Sequence, residues 1–176
     1  LKERVYHCIL VDSQDKSPKG VGEVEEFMLI LRPHVREFIN YISEHVDVIH
    51  IWSAGHFRYV RAVESILFPQ GGHARINYPQ RVFTREHCEI GQDYVLKDLS
   101  LICSDLSRVL IIDDRLDTFA NNPSNAIHIP VYEPRAKKDE IMKDDTCLLK
   151  IIDWFEKSGV LTANDVRQIP KEQIFN

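Results

Sequence analysis

What this chain lacks narrows its reading before any motif does. No apolar run approaches the length of a membrane span, and no hydrophobic segment opens the chain, so neither a bilayer-crossing helix nor a secretory signal is expected. Cysteine is limited to Cys8, Cys88, Cys103 and Cys147, whose spacing fits no metal-ligand pattern; they read as reduced, mostly buried thiols rather than a disulfide framework. There is no excess of basic charge: the net charge of -5 gives no indication of a basic nucleic-acid groove, and no direct nucleic-acid partner is expected, local basic patches apart. No glycine-rich phosphate turn follows the first strand-like segment, which counts against a Rossmann-like or flavodoxin-like nucleotide binder. Internal repeats and low-complexity tracts are absent.

What is present is a chain of 176 residues, 44% hydrophobic and 28% charged, enough for one globular domain with a real core. It opens on Leu1 rather than Met, as a domain cut from a longer protein would. An intracellular setting, nuclear or cytoplasmic, with no membrane contact, is the default expectation.

One stretch organises the remainder. Val109, Leu110, Ile111 and Ile112 form an unbroken aliphatic run, the pattern of a strand buried on both faces, and the run stops at Asp113 and Asp114. Ligands of open α/β sheets collect outside the carboxyl ends of the strands, so two carboxylates there point to a metal or phosphate site. An Asp pair that merely caps the next helix is the competing reading. Residues 8–11 repeat the theme, a short aliphatic strand ending at Asp12. A third strand, residues 46–52, runs into Ser53, Ala54 and Gly55. The helix expected over 57–67, with Tyr59, Val60, Val63, Ile66 and Leu67 inward, directs its N-terminus to the same place, a good anion seat. Ser53 as a plain helix cap is the alternative. Lys97 precedes a helix-like segment at 99–106; a lone lysine is ordinarily solvated and gains meaning only beside Asp12.

The other segments fall between these. Residues 13–22 and 68–80 read as loops and 23–31 as a strand. A helix beginning at Pro33 carries Val35, Phe38, Ile39 and Ile42 on one face. A turn at 115–119, a strand at 126–131 and a charged loop at 132–145 follow. The chain closes with a helix at 148–155, offering Leu149, Ile152, Trp154 and Phe155 for packing, and a tail or last short helix at 166–176. This alternation predicts an α/β domain, a doubly wound parallel sheet.

In order, Asp12, Ser53, Lys97 and Asp113-Asp114 resemble the four motifs of the haloacid dehalogenase superfamily of phosphotransferases. The finer resemblance is to its CTD-phosphatase branch, the small CTD phosphatases and NLI-interacting-factor-like proteins. Arg32-Pro33 with Phe38 looks like that branch's Arg-Pro-x-x-x-x-Phe, and Trp52-Ser53-Ala54 falls where it carries Phe-Thr-Ala, with Tyr59 at the expected distance. Phe83-Thr84-Arg85-Glu86-His87-Cys88 is similar to Phe-x-Arg-Glu-x-Cys, and the run from Tyr94 to Ser100 to Tyr-x-Lys-Asp-Leu-Ser. Ile112-Asp113-Asp114-Arg115 and Asn125-Ala126-Ile127 complete a resemblance covering residues 7–160, which implies a Rossmann-like fold with residues 1–176 as one CTD-phosphatase-like domain.

That resemblance implies covalent chemistry on a phosphorylated protein or peptide, with the RNA polymerase II tail as one such substrate. Asp12 matches the nucleophile that forms an aspartyl-phosphate from phosphoserine or phosphothreonine. Ser53, Ala54 and Lys97 would hold the phosphate oxygens, Lys97 also stabilising the transition state. Magnesium would be bound by Asp12, the main-chain carbonyl near Gln14, and Asp113 or Asp114. Arg85 would steer the substrate, or serve as a structural ion pair beneath the site. The first motif departs from the family's Asp-x-Asp-x-Thr: here it reads Asp12-Ser13-Gln14-Asp15-Lys16. Gln14 has no titratable proton to give, and losing general acid/base help typically removes about 10²–10⁴-fold in rate. Asp15 stands next to it but on an extended segment would point the other way. The same family includes a mitochondrial translocase receptor that lacks the catalytic aspartates and binds peptide without hydrolysis, so a pseudophosphatase, a binding module using the same cleft, is the alternative function.

Overall fold

Short aliphatic segments set off by polar turns become strands that pair two by two. The computed structural model describes residues 3–11, 24–69, 79–135 and 137–176, so Asp12, Gln14, Asp15 and Lys16, with the loop expectations at 13–22 and 70–78, lie outside the described residues. Strand β1 (Val5–Val11) pairs antiparallel with β2 (Val24–Ile30), in a register that sets Val5 opposite Ile30. Strands β3 (His50–Trp52) and β4 (Arg81–Phe83) are parallel, and the crossover between them contains α2 (Phe57–Leu67). A small antiparallel pair, β5 (Glu89–Ile90) with β6 (Val95–Leu96), follows. Strands β7 (Ile111–Asp113) and β8 (Ala126–His128) form the second parallel pair, joined through 3₁₀ turns at Leu116–Phe119 and Pro123–Asn125. The α/β class is the one the alternation predicts, with two antiparallel hairpins added to it.

The core sits where α1 (Val35–His45) meets α4 (Cys147–Lys157). Leu148, Ile151, Trp154 and Phe155 recur at helical spacing and are buried, with Ile151 fully enclosed. Enclosing such a side chain contributes about 1.5–3 kcal/mol. The inward stripe is thus set one residue before the expected Leu149 and Ile152. The tail expected at 166–176 is part of this core: Val166 and Ile174 are buried in the same cluster, and Trp154 Nε1 donates to the Pro170 carbonyl at 2.9 Å.

Three more expectations are corrected. The helix-like segment at 99–106 is two 3₁₀ turns, Leu99–Leu101 and Leu106–Arg108, because the Asp98 and Asp105 side chains accept from the amides of Ser100 and Ser107 at 2.9 Å. A carboxylate that captures the amide two residues on competes with continuous helix. The charged stretch at 132–145 contains helix α3 (Lys138–Met142), anchored by buried Ile141. All four cysteines are free, but Cys103 is exposed, so the thiols are not mostly buried.

The entry to α1 is bracketed to the entry of α4. Arg32 makes a bidentate pair with Asp145, Nε at 3.2 Å and Nη2 at 2.9 Å. His34, in the left-handed region at φ 63°, reaches Glu37 and Asp144 through its two ring nitrogens at 3.2 and 3.1 Å. Burial alone would lower the His34 pKa, but the hydrogen bonds to Asp144 and Glu37 outweigh it, and the net displacement is upward from 6.5. A raised histidine contributes stability that is complete below the unfolded value and disappears as pH climbs through the folded one. His34→Asn keeps a residue that tolerates positive φ and removes the charge. Its melting temperature should trail the parent's most near about pH 6 and converge with it by about pH 9. A deficit that stays constant across that range would refute the assignment.

Candidate active site

The carboxyl ends of three strands converge on one cleft. Strand β3 ends at Trp52 and hands over to Ser53 and Ala54, β6 runs into Lys97, and β7 ends at Asp113 followed by Asp114. These residues line a cleft of about 410 Å³, together with Arg32, Arg115, Thr118 and Tyr132. The sequence motifs at 53, 97 and 113 are therefore neighbours in space, as expected of strand tips in an α/β fold.

Lys97 is the centre of the cleft. It is only 6% exposed, not the solvated lysine that its sequence neighbourhood alone suggests. Its ammonium forms an ion pair with Asp113, itself 9% exposed, and donates to the Trp52 carbonyl at 3.0 Å. A buried ammonium is tolerated when its charge is paired and its donors are engaged; Asp113 pairs the charge and, with the Trp52 carbonyl, engages two of the three donors among the described residues, leaving the third for a ligand. The Trp52 carbonyl is held in turn by its ring, which stacks on Phe83 at a centroid distance of 4.6 Å and donates from Nε1 to Cys88 Sγ at 3.2 Å. The Phe-x-Arg-Glu-x-Cys segment thus supports the second motif from behind.

The two carboxylates of the fourth motif differ in what they touch. Asp113 Oδ2 receives Lys97, and Oδ1 accepts the Arg115 amide at 3.0 Å, so this residue both pairs a cation and fixes the backbone just before the following turn. Asp114 is exposed on the cleft, and its carboxylate makes no hydrogen bond among the described residues. Oxygen donors uncommitted to protein are what a hard divalent cation requires.

Ser53 Oγ accepts the Gly55 amide at 3.1 Å, leaving its hydroxyl proton to donate elsewhere. The cleft lining extends to Ser53 and Ala54 but not to the first residues of α2. Tyr59 is 37% exposed rather than inward; its ring tilts against Phe27 at 5.1 Å and covers Gly55, where an added Cβ would meet it at 2.7 Å. Arg85 lies beside the same loop, its amide donating to the Gly55 carbonyl at 3.0 Å, with the guanidinium 3.5 Å from the Ala54 carbonyl. It is exposed, and its side chain makes no ion pair among the described residues, so the structural salt-bridge alternative has no support there.

The sequence motifs assign several lining residues no role in the site, although Arg32 and Arg115 stand within them. Arg32 lies beneath the Tyr132 ring, 5.6 Å from its centroid, and the Tyr132 hydroxyl accepts from Arg4 at 2.6 Å. Arg115 is pinned by Asp117 through Nε at 3.0 Å and Nη2 at 2.6 Å. The Arg115 guanidinium and then the Val95 amide hold the Asp117 carboxyl far below the usual carboxylate range. For Asp117 and Arg115 the available signal is the DDxxD string at 113–117, which holds a third acid beyond the pair; Tyr132 has none.

Comparison with known proteins agrees with this geometry. The family described as NLI interacting factor-like phosphatase matches residues 3–167. CTD small phosphatase-like protein 3 of Caenorhabditis elegans is 32% identical over 173 residues, covering 96% of this chain and 55% of that protein. CTD nuclear envelope phosphatase 1 of Xenopus tropicalis is 34% identical over 145 residues, 81% of this chain and 52% of that protein. Mitochondrial import inner membrane translocase subunit TIM50 of Kluyveromyces lactis is 32% identical over 140 residues, 80% of this chain and 26% of that protein. Among solved structures, Fcp1, an essential RNA polymerase II CTD phosphatase, aligns with a TM-score of 0.56 and 28% identity over 75% of this chain and 33% of its own. The chain thus spans about a quarter to about half of the curated relatives it matches. No described helix is long and apolar enough to cross a membrane. With its parallel strand tips, buried lysine–aspartate pair and a match over nearly its whole length, the chain belongs to the NLI interacting factor-like phosphatase family, in the CTD-phosphatase branch of the haloacid dehalogenase superfamily.

Proposed function

We propose that this chain is a phosphoserine/phosphothreonine protein phosphatase domain whose turnover is slowed by Gln14. The observation that carries the reading is the buried Lys97, paired with Asp113 and standing at the same cleft as Ser53, Ala54 and Asp114. Evolution places a buried charge pair at strand tips for chemistry more readily than for stability, since such pairs are poor stabilisers.

In this reading Asp12 attacks the phosphorus of the substrate monoester, and the bond to the serine or threonine oxygen breaks. The alkoxide that leaves needs a proton, which Gln14 cannot give, so it is drawn from solvent water and the step is slowed. Water then attacks the phosphorus of the aspartyl-phosphate, the bond from phosphorus to the Asp12 oxygen breaks, inorganic phosphate departs, and the proton that the water sheds goes to phosphate or solvent, regenerating Asp12. Lys97 and the Ser53 hydroxyl hold the peripheral phosphate oxygens, the charge of Lys97 opposing the negative charge that accumulates in the transition state. Magnesium would be held by Asp114, uncommitted among the described residues and facing the cleft, together with Asp12 and the Gln14 carbonyl from outside the described residues, while Asp113 is engaged with Lys97. When bound, the ion offsets the repulsion between a carboxylate and a phosphate dianion. Arg85, exposed beside the phosphate loop, contacts acidic or phosphorylated stretches of the substrate. The RNA polymerase II tail is the candidate substrate that the likeness to Fcp1 brings forward.

Gln14 and Lys16 favour one other reading, a pseudophosphatase that binds phosphopeptide or a partner protein in the same cleft without hydrolysis. Likeness to a translocase subunit supports it equally. The test is phosphate release from a phosphoserine peptide with magnesium, beside an Asp12→Asn control. Slow release that vanishes in the control supports the phosphatase. Binding without release establishes the module, and neither binding nor release discards both.

A further inference from the structure

Strand β6 is only two residues long, yet it must fix the backbone of Lys97. Its inner edge pairs with β5 through Glu89↔Leu96 and Ile90↔Val95. Amides alternate sides along a strand, so the amides of Val95 and Lys97 face the same way and need acceptors of their own. No further strand supplies them among the described residues. The 3₁₀ turn Leu116–Phe119 does: Asp117 Oδ2 accepts the Val95 amide at 2.8 Å, and the Thr118 carbonyl accepts the Lys97 amide at 2.8 Å. Thr118 is 2% exposed and its hydroxyl donates to the Arg115 carbonyl at 2.7 Å, so the turn that offers both acceptors is itself fixed. The same Asp117 carboxylate grips Arg115 at Nε and Nη2, leaving that guanidinium on the wall of the cleft with one nitrogen unengaged among the described residues.

We infer that Asp117 is a positioning residue that sets both cations of the cleft, Lys97 through the Val95 amide and Arg115 through a two-point clamp. It substitutes a side chain for the neighbouring strand that β6 lacks, and couples the third motif to the fourth. Because Lys97 also bears the Asp113 charge, an error in the β6 backbone is transmitted to Asp113 as well. The functional half of this inference rests on the phosphate-binding reading of the cleft; the positional half does not.

The test compares the parent with Asp117→Ala and Asp117→Asn, each also in an Arg115→Ala background. Inorganic phosphate with saturating magnesium is the binding probe, and amide hydrogen exchange at Val95 and Lys97 reports position. Asp117→Ala should weaken phosphate binding by about tenfold or more and speed exchange at both amides. Asp117→Asn retains an acceptor for Val95 but loses the ionic clamp, so it should keep amide protection and lose only the Arg115 share, a loss that disappears in the Arg115→Ala background. A folded Asp117→Ala with parental exchange and phosphate affinity within about twofold of the parent would overturn the inference. If the parent itself binds no phosphate, the phosphate-binding reading has failed, and the exchange rates alone decide whether Asp117 positions Lys97. Should Asp117→Ala not fold, Asp117→Asn decides: loss of amide protection there, with the acceptor retained, counts against the bracket.

Discussion

Lys97→Met should melt roughly 6–20 °C below the parent, a loss of about 3–5 kcal/mol, and should bind no phosphate. The size follows from burial on both sides of the pair: Lys97 and Asp113 side chains are 7% and 8% exposed, so deleting the ammonium strands a carboxylate with little access to water. Methionine matches the lysine stem in length and flexibility, so lost packing is a minor part of the effect. The double variant Lys97→Met/Asp113→Asn removes the stranded charge and keeps an oxygen for the Arg115 amide, and so should regain more than half of the loss. Phosphate binding should not return with it. Calorimetric melts and phosphate titration separate the two quantities, and equal melting of Lys97→Met and parent would show that the pair is not the buried hub described above.

Gln14→Asp should raise phosphate release by about 10²–10⁴-fold. The substitution restores a titratable carboxyl where the leaving oxygen needs a proton, and the remaining functional groups of the cleft are in place: Lys97, Ser53, Asp113 and Asp114. The gain should vanish when Asp12→Asn is added, because no covalent step remains to be assisted. It should appear mainly in turnover rather than in substrate affinity, since proton donation acts in the transition state. An unchanged rate in Gln14→Asp would shift the defect to Lys16 or to the absence of the small hydroxyl that the family carries there.

Parts of this were legible in the chain and parts were not, for physical reasons. Helix α2 occupies 57–67 as the apolar spacing predicts, because an amphipathic face is encoded locally. The burial of Lys97 is not encoded locally: it depends on Trp52 and Asp113, which lie 45 and 16 residues away in the chain. Resemblance to a family supplied that proximity; periodicity did not. Segment 99–106 carries apolar residues at helical spacing, yet Asp98 and Asp105 draw the backbone into separate turns, a competition between side chain and main chain that a hydrophobic pattern does not register. Of the two readings of Asp113 and Asp114, capping finds no support among the described residues: the turn at Leu116–Phe119 has Arg115 as its N-cap and no side-chain cap, and Asp113 gives one oxygen to Lys97 and the other to the Arg115 amide.

The enclosed cluster around Ile151 draws Phe38 from one end of the sequence and Ile174 from the other. A nascent chain therefore carries the apolar stripe of α1 unpartnered until α4, about a hundred residues later in the sequence, has emerged. Chaperone attendance during translation is the expected companion of such an arrangement, whatever chemistry the finished cleft performs.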